Sequence, residues 1–209
     1  MYRITKTEIS GGLVIATVED EDTLFTEKLS VAKEFFAPLS LAEGDRVGDA
    51  EYDGLRRAAS LSAAYAKALD ALSYSSMSRR ALSDKLRLKY KFDRETAEEA
   101  AEYVARRGFL NEASQAERAA ENAARTKLWG RRRIVSKLCS KGYPRECAEE
   151  AADAVGKDVY RAALMKLIDK KAKSAPESRE EYSKLIAALI RYGHGADEIK
   201  RALTGKFGN

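Results

Sequence analysis

The chain has 209 residues, 44% of them hydrophobic and 34% charged, with a formal net charge of +5. That length suits one large domain or a string of small helical units that share a core. There is no apolar run of the roughly 18 residues a membrane span requires, and Met1 to Lys6 lack the apolar core of a signal peptide, so a cytoplasmic protein with no membrane role is expected.

The N-terminus reads as β. Tyr2 to Ile9 and Leu13 to Val18 are rich in Ile, Val and Thr and flank Ser10-Gly11-Gly12, a plausible hairpin turn. Glu19-Asp20-Glu21-Asp22 is a second polar turn, followed by a possible short strand at Thr23-Leu24-Phe25. A short helix over 30–37 would end before Pro38, and Gly44 and Gly48 punctuate a connector. Residues 1–57 hold seven Lys and Arg against twelve Asp and Glu; the remainder holds 31 against 21. The basic excess therefore lies beyond residue 57 and suggests a polyanionic partner.

From about Asp49 the helical period takes over. Leu55, Ala58, Ala59, Ser62, Tyr65, Leu69 and Leu72 share one helix face. An internal repeat is the strongest structural signal. Phe92 to Val104, shifted by 51 residues onto Tyr143 to Val155, is identical at eight of thirteen positions. A second shift is fainter, but aligns Gly193 with Gly142, Leu189 with Leu138 and Leu185 with Ile134.

Each period has room for three helices. A long one comes first (near 56–73, 111–127 and 158–173), a basic one second (78–89, 130–140 and 178–191), and one that is acidic and then apolar third (93–106, 144–156 and 196–204). Asn111 and Asp93 suit N-caps, Pro144 a first helical turn, and Gly142 and Gly193 C′ positions of positive φ. The expected architecture is mainly α. A β-rich segment with a short helix and connector (1–50) precedes three tandem three-helix repeats (51–108, 109–156 and a diverged 157–209), stacked into an elongated, curved body.

The stretch from Arg125 to Arg145 holds Arg125, Lys127, Arg131, Arg132, Arg133, Lys137, Lys141 and Arg145, and no acid. On a helix starting near Gly130, Ile134 and Leu138 face inward, while Arg133, Lys137 and Lys141 form one stripe. The aligned helix carries Arg79, Arg80, Lys85, Arg87 and Lys89, with Leu82 and Leu86 inward. Guanidinium and ammonium groups so spaced can neutralise phosphates; the plainer alternative is a solvated face paired with the Glu-rich helices that follow. Trp129 is either a stacking platform for a base or a packing anchor.

Catalytic chemistry is poorly supplied. Cys139 and Cys147, eight residues apart, match no common zinc spacing, and the single histidine, His194, reads as a turn residue between two glycines. Glu95, Glu98, Glu99 and Glu102 recur in the next period as Glu146, Glu149, Glu150 and Asp153, which suits a polar face better than an acid–base pair. No Walker-type loop, GxSxG or HExxH motif is present. A non-enzyme without cofactor or metal is expected.

Leu72 to Leu82, where Ser78 opens the basic helix, then Gly108-Phe109-Leu110-Asn111-Glu112, and Gly130-Arg131-Arg132-Arg133-Ile134 through Leu138 to Lys141-Gly142-Tyr143 together resemble the RecX family in order and spacing. The Ile4-Thr5-Lys6 strand ahead of three helical units resembles its layout. Tyr90-Lys91-Phe92 departs by replacing the family's glycine turn, Gln115 replaces an aromatic, and the third unit is diverged.

The resemblance implies a monomeric regulator in DNA repair, recombination and the SOS response. It would lodge on the RecA–single-stranded-DNA filament and inhibit the recombinase and its ATPase, with double-stranded DNA a further possible partner. The expected contacts are Arg79, Arg80, Lys85, Arg125, Lys127, Arg131, Arg132, Arg133, Lys137 and Lys141. The competing reading is a helical-repeat DNA-binding protein with no recombinase partner.

Overall fold

The structure, a computed structural model, describes residues 1–172 and 174–208. The chain divides into two units, Met1–Leu110 and Asn111–Asn209. As expected, it is mainly helical with an N-terminal strand segment.

The first unit opens with an antiparallel sheet of order β3-β2-β1-β4, formed by β1 (Tyr2–Ser10), β2 (Leu13–Asp20), β3 (Thr26–Ala32) and β4 (Arg46–Val47). Ser10 pairs with Leu13, so Gly11-Gly12 is a two-residue turn. Both glycines take positive φ (57° and 85°), the geometry that matches strand twist and that side-chain-bearing residues resist. Alternation in β2 buries Val14, Ala16 and Val18 on one face, where Ile4, Leu29, Val31 and Val47 join them.

The strand expected at Thr23-Leu24-Phe25 is a turn. The Asp20 carboxylate accepts the Asp22 N–H, and Leu24 donates to the Asp20 carbonyl, so pairing with β2 starts only at Thr26. The short helix is likewise curtailed. Residues 30–32 complete β3, and α1 (Lys33–Phe36) runs into a 3₁₀ turn at Ala37–Leu39 that contains Pro38.

The sheet packs on α2 (Asp49–Tyr74), which starts one to two turns before the expected 56 because the Glu51 carboxylate accepts the Gly48 N–H at 2.8 Å. The first part of α2 faces the sheet through Leu55 and Ala58. Its remainder packs on α3 (Arg79–Leu88) and α4 (Arg94–Arg106) through Leu61, Ala64, Ala68 and Ala71. The most buried face of this later part is therefore rotated by a residue from the Tyr65, Leu69, Leu72 series, which is only partly buried. Two different neighbours on one long helix move the stripe. Ser62 marks the changeover, accepting the Ala32 N–H at 2.8 Å. Phe35, Tyr65 and Tyr103 close the junction with ring centroids 4.8–5.9 Å apart.

The caps explain the helix starts. Ser78 accepts the Ala81 N–H and Asp93 the Thr96 N–H, so the orphan donors of α3 and α4 are met locally. Lys91 takes φ 64° after α3, performing without glycine the reversal that Gly142 (88°) and Gly193 (92°) perform later.

The second unit contains α5 (Glu112–Lys127), α6 (Arg131–Ser140), α7 (Arg145–Ala154), α8 (Lys157–Lys171), α9 (Arg179–Arg191) and α10 (Ala196–Phe207). One core joins Ala116, Ala120 and Ala124 to Ile134, Leu138, Ala148 and Ala152; another joins Leu164, Leu167 and Ile168 to Leu185, Leu189, Ile199 and Leu203. Alanine on α5 and α7 lets those helices approach closely, whereas larger aliphatics fill the second core. The expected reach of α8 to residue 173 lies partly outside the described residues.

The two cores of this unit are tied by a backbone joint. The N-terminus of α6 meets the turn after α9: Gly130 donates its N–H to the Tyr192 carbonyl at 2.8 Å and Arg132 to the Gly193 carbonyl at 3.3 Å. Unsatisfied donors of one helix start thus meet unsatisfied acceptors of another helix end, so the positive end of one dipole adjoins the negative end of the other. The approach requires glycine. A Cβ on Gly130 would lie 2.4 Å from the Gly193 carbonyl, and one on Gly193 would lie 2.5 Å from Arg133.

Candidate nucleic-acid interface

The ten cations expected to form the interface fall into engaged and available groups. In the first unit, Arg79 is paired with Glu102 across α3 and α4. Arg80 is exposed with no ion pair among the described residues, and Lys85 is half-buried. Arg79 and Arg80 border the α3–α4 groove, about 650 Å³, where Arg87 pairs with Asp84 at 3.2 Å and Arg94 with Glu98 at 2.8 Å. Three of the four arginines lining this groove are paired with its acids, as the solvated-face alternative expects.

The second unit concentrates the more informative geometry. Arg131 is held by Asp153 in a two-point contact, Nε to one oxygen at 2.6 Å and an Nη to the other at 2.8 Å. That pair ties α6 to α7, raises the guanidinium pKa and holds the Asp153 carboxyl below its ordinary range. Arg125 is paired with Glu121 one turn back on α5. Arg133 serves the joint. It donates to the Arg191 carbonyl at 3.0 Å and lies 4.7 Å from the Trp129 ring centroid and 5.3 Å from that of Tyr192.

Arg132, Lys137, Lys127 and Lys141 are exposed. Arg132 and Lys137 have no ion pair among the described residues. Lys127 lies over Trp129, 4.8 Å from the ring centroid. Lys127, Lys137 and Lys141 together rim a groove of about 100 Å³ between α5 and α6, whose wall includes Asn122, Trp129, Ile134 and Leu138. No acid lines it. The structure therefore gathers three of the sequence-expected lysines around the one tryptophan, and assigns Arg131 and Arg133 to holding the helices together. Trp129 fits the packing-anchor alternative in part: it is half-buried against the α5–α7 core, yet it also borders this groove.

His194, which the sequence marks as a turn residue between two glycines, lies directly after the turn that ends α9 and is buried there. It is 1% exposed, and its Nε2 lies 3.1 Å from the Leu128 carbonyl oxygen. That oxygen only accepts, so the neutral ring carries its proton on Nε2, and Nδ1 is buried without a partner among the described residues. Burial pushes its pKa below the ordinary value, with weaker opposing effects from the Leu128 carbonyl and Glu198. The flanking glycines gave the signal: a residue threaded through a joint this close needs small neighbours. The carboxylate rows form polar, partnered faces, with Glu98, Glu102, Glu149 and Asp153 all bonded to arginines. Burial raises the Cys147 thiol pKa. No helix among the described residues is long and apolar enough to cross a membrane.

The fold and this surface define a helical-bundle protein with a small N-terminal sheet and basic helix faces. No family model matches the chain. It is 25% identical over 177 residues to the regulatory protein RecX of Listeria innocua, a match covering 83% of this chain and 65% of that protein, so the chain spans just under two thirds of the curated relative. A crystal structure of regulatory protein RecX superposes with a TM-score of 0.77 at 19% identity, covering 96% of this chain and 100% of that chain. The crystal structure of RecX from Lactobacillus salivarius gives 0.64 at 24% identity, over 70% and 96% respectively. The solved structures show that this chain shares the fold of RecX crystal structures.

Proposed function

We propose that this protein is a RecX-like regulator that binds the RecA–single-stranded-DNA filament and inhibits RecA's recombinase and ATPase activities. It acts by binding rather than catalysis, uses no cofactor, and works in the cytoplasm as a monomer during DNA repair, recombination and the SOS response. The observation that carries this reading is the acid-free, lysine-rimmed groove between α5 and α6, set in a fold shared with RecX crystal structures. The relative's name, a regulatory protein, supports a binding role. The three helix cores, in α2–α4, α5–α7 and α8–α10, support tandem three-helix units at 51–108, 109–156 and 157–209.

Arg132, Lys137, Lys127 and Arg80 are the leading contacts to phosphate, because exposed cations can give up water for phosphate without first breaking an ion pair, and Lys141 adds its charge at the rim of the same groove. Arg79, Arg125, Arg131 and Arg133 contribute mainly by shaping the surface, and Lys85 flanks it. The test is RecA ATPase on single-stranded DNA with and without the protein. Inhibition that disappears in the Arg132→Ala/Lys137→Ala variant is the expected result; an unchanged ATPase rate with wild-type protein overturns the reading. Equal affinity for bare and RecA-coated DNA would favour a general DNA-binding protein instead.

A further inference from the structure

The α5–α6 groove has a composition that a purely electrostatic surface would not need. Three ammonium groups stand around a wall of Ile134, Leu138, Ala119, Ala123 and the indole of Trp129, with the Asn122 amide at the rim. Two neighbouring grooves on the helices are different: the α3–α4 groove contains Asp84, Glu98 and Glu102, and the α5–α7 groove contains Glu117 and Glu121. A ligand for the α5–α6 groove must be anionic and must also present a flat apolar surface. The groove is small, about 100 Å³.

We infer that this groove seats one unpaired base of a single-stranded nucleic acid against Trp129, with Lys127 and Lys137 on the flanking phosphates. The inference rests on the proposed function and names the ligand atoms at that surface. Lys127 covers the indole in the free protein at 4.8 Å. It is exposed and on a flexible stem, so a phosphate can draw its ammonium outward and free the ring. Arg133, 4.7 Å from the same ring, is held by the Arg191 carbonyl and the Tyr192 ring, and so keeps the indole in place. Asn122 can donate to or accept from a base edge. Bases in a duplex are stacked on one another and cannot present a face, so the site discriminates single from double strands.

Trp129 is the chain's single tryptophan, so its fluorescence reports on this groove. The full chain is titrated at low salt with a labelled oligothymidylate of about 15 nucleotides, a length within single-strand site sizes. Parallel titrations use an abasic oligonucleotide of equal length and a polyglutamate of equal charge. Binding is followed independently by anisotropy. Oligothymidylate should quench Trp129 saturably, whereas the abasic strand and the peptide should bind more weakly and leave the emission unchanged. Trp129→Ala should weaken oligothymidylate binding about 5- to 150-fold, the range of one base–aromatic stack, and Trp129→Phe should restore most of it. Equal quenching by the abasic strand or by polyglutamate overturns the inference, the latter in favour of an acidic protein ligand. DNA binding without any change in Trp129 overturns it while leaving the proposed function standing. Quenching without any effect on RecA ATPase does the reverse.

Discussion

Gly130→Ala isolates the backbone joint of the second unit. Gly130 has φ −80°, which alanine adopts freely, so the substitution carries no backbone strain. In an open site it would even stabilise by about 0.4–1 kcal/mol through the unfolded chain. Here the new methyl group would lie 2.4 Å from the Gly193 carbonyl carbon and oxygen and 2.5 Å from the His194 nitrogen. All three are backbone atoms, so α6 and the α9 turn must part. Parting them breaks the Gly130–Tyr192, Arg132–Gly193 and His194–Leu128 hydrogen bonds, at about 1 kcal/mol each. Set against the gain in the unfolded chain, the net destabilisation is about 2–3 kcal/mol. With a urea m-value near 2 kcal/mol/M, the midpoint falls by about 1 M. Urea unfolding followed at Trp129, which adjoins the joint, measures this. The control is Gly205→Ala, on the exposed face of α10 with no heavy atom within 4 Å, where helix propensity should add roughly 0.5–1 kcal/mol. A wild-type midpoint for Gly130→Ala, or an equal drop for both variants, refutes the reasoning.

Other outcomes follow from the same contacts. His194 is the chain's only histidine and is buried neutral, with its pKa depressed below an unfolded value near 6.5. The unfolded state then takes up the proton first. The stability from burying the neutral ring is fully present above that value and is lost as pH falls through it toward the depressed folded pKa. Urea midpoints should drop between about pH 7.5 and 5.5 in the wild type and much less in His194→Gln; parallel curves would contradict this. In DNA binding, Arg132→Ala and Lys137→Ala should each make the salt dependence of single-strand affinity shallower by about 0.7 in log–log slope, as expected for loss of one phosphate contact. Arg131→Ala should change that slope less, because its guanidinium is already spent on Asp153; a larger change for Arg131 than for Arg132 would reverse the assignment.

Helix-forming segments were the most legible part of the chain, because their information is local. Asp93 and Asn111 cap where their short oxygens can reach the third N–H, and Leu82, Leu86, Ile134 and Leu138 are buried where i, i+4 spacing puts them. Boundaries set by nonlocal partners were harder to read. The start of β3 depends on how Asp20 closes a turn, and the buried face of α2 shifts because the sheet and then α3 and α4 claim different sides. The candidate surface was legible as a run of cations but not as a division of labour. Arg131, Arg132 and Arg133 are chemically identical in the sequence. Only the positions of Asp153, Trp129 and the Arg191 carbonyl, distant along the chain or on a neighbouring turn, decide which of them remains available.

That division explains why a basic surface can be built on α6 without weakening it. Three consecutive arginines at a helix N-terminus oppose the macrodipole and one another. The unfavourable charge is relieved twice: Asp153 neutralises Arg131, and Arg133 is drawn to the ring faces of Trp129 and Tyr192 and to a carbonyl at the C-terminal end of α9, the negative end of another dipole. Arg132 is left facing solvent between two restrained neighbours, and Lys137 lies toward the other end of α6, where a cation suits the dipole. A phosphate approaching this face therefore meets cations on a helix whose orientation is fixed from both flanks. Neutralising Asp153 would loosen that fixation and, at the same time, release a further cation. Asp153→Asn should accordingly raise affinity for bare single-stranded DNA, steepen its salt dependence, and lower the urea midpoint slightly, by no more than the roughly 1 kcal/mol an exposed pair contributes. Weaker DNA binding by Asp153→Asn would mean that the orientation of α6, and not its available charge, limits the contact.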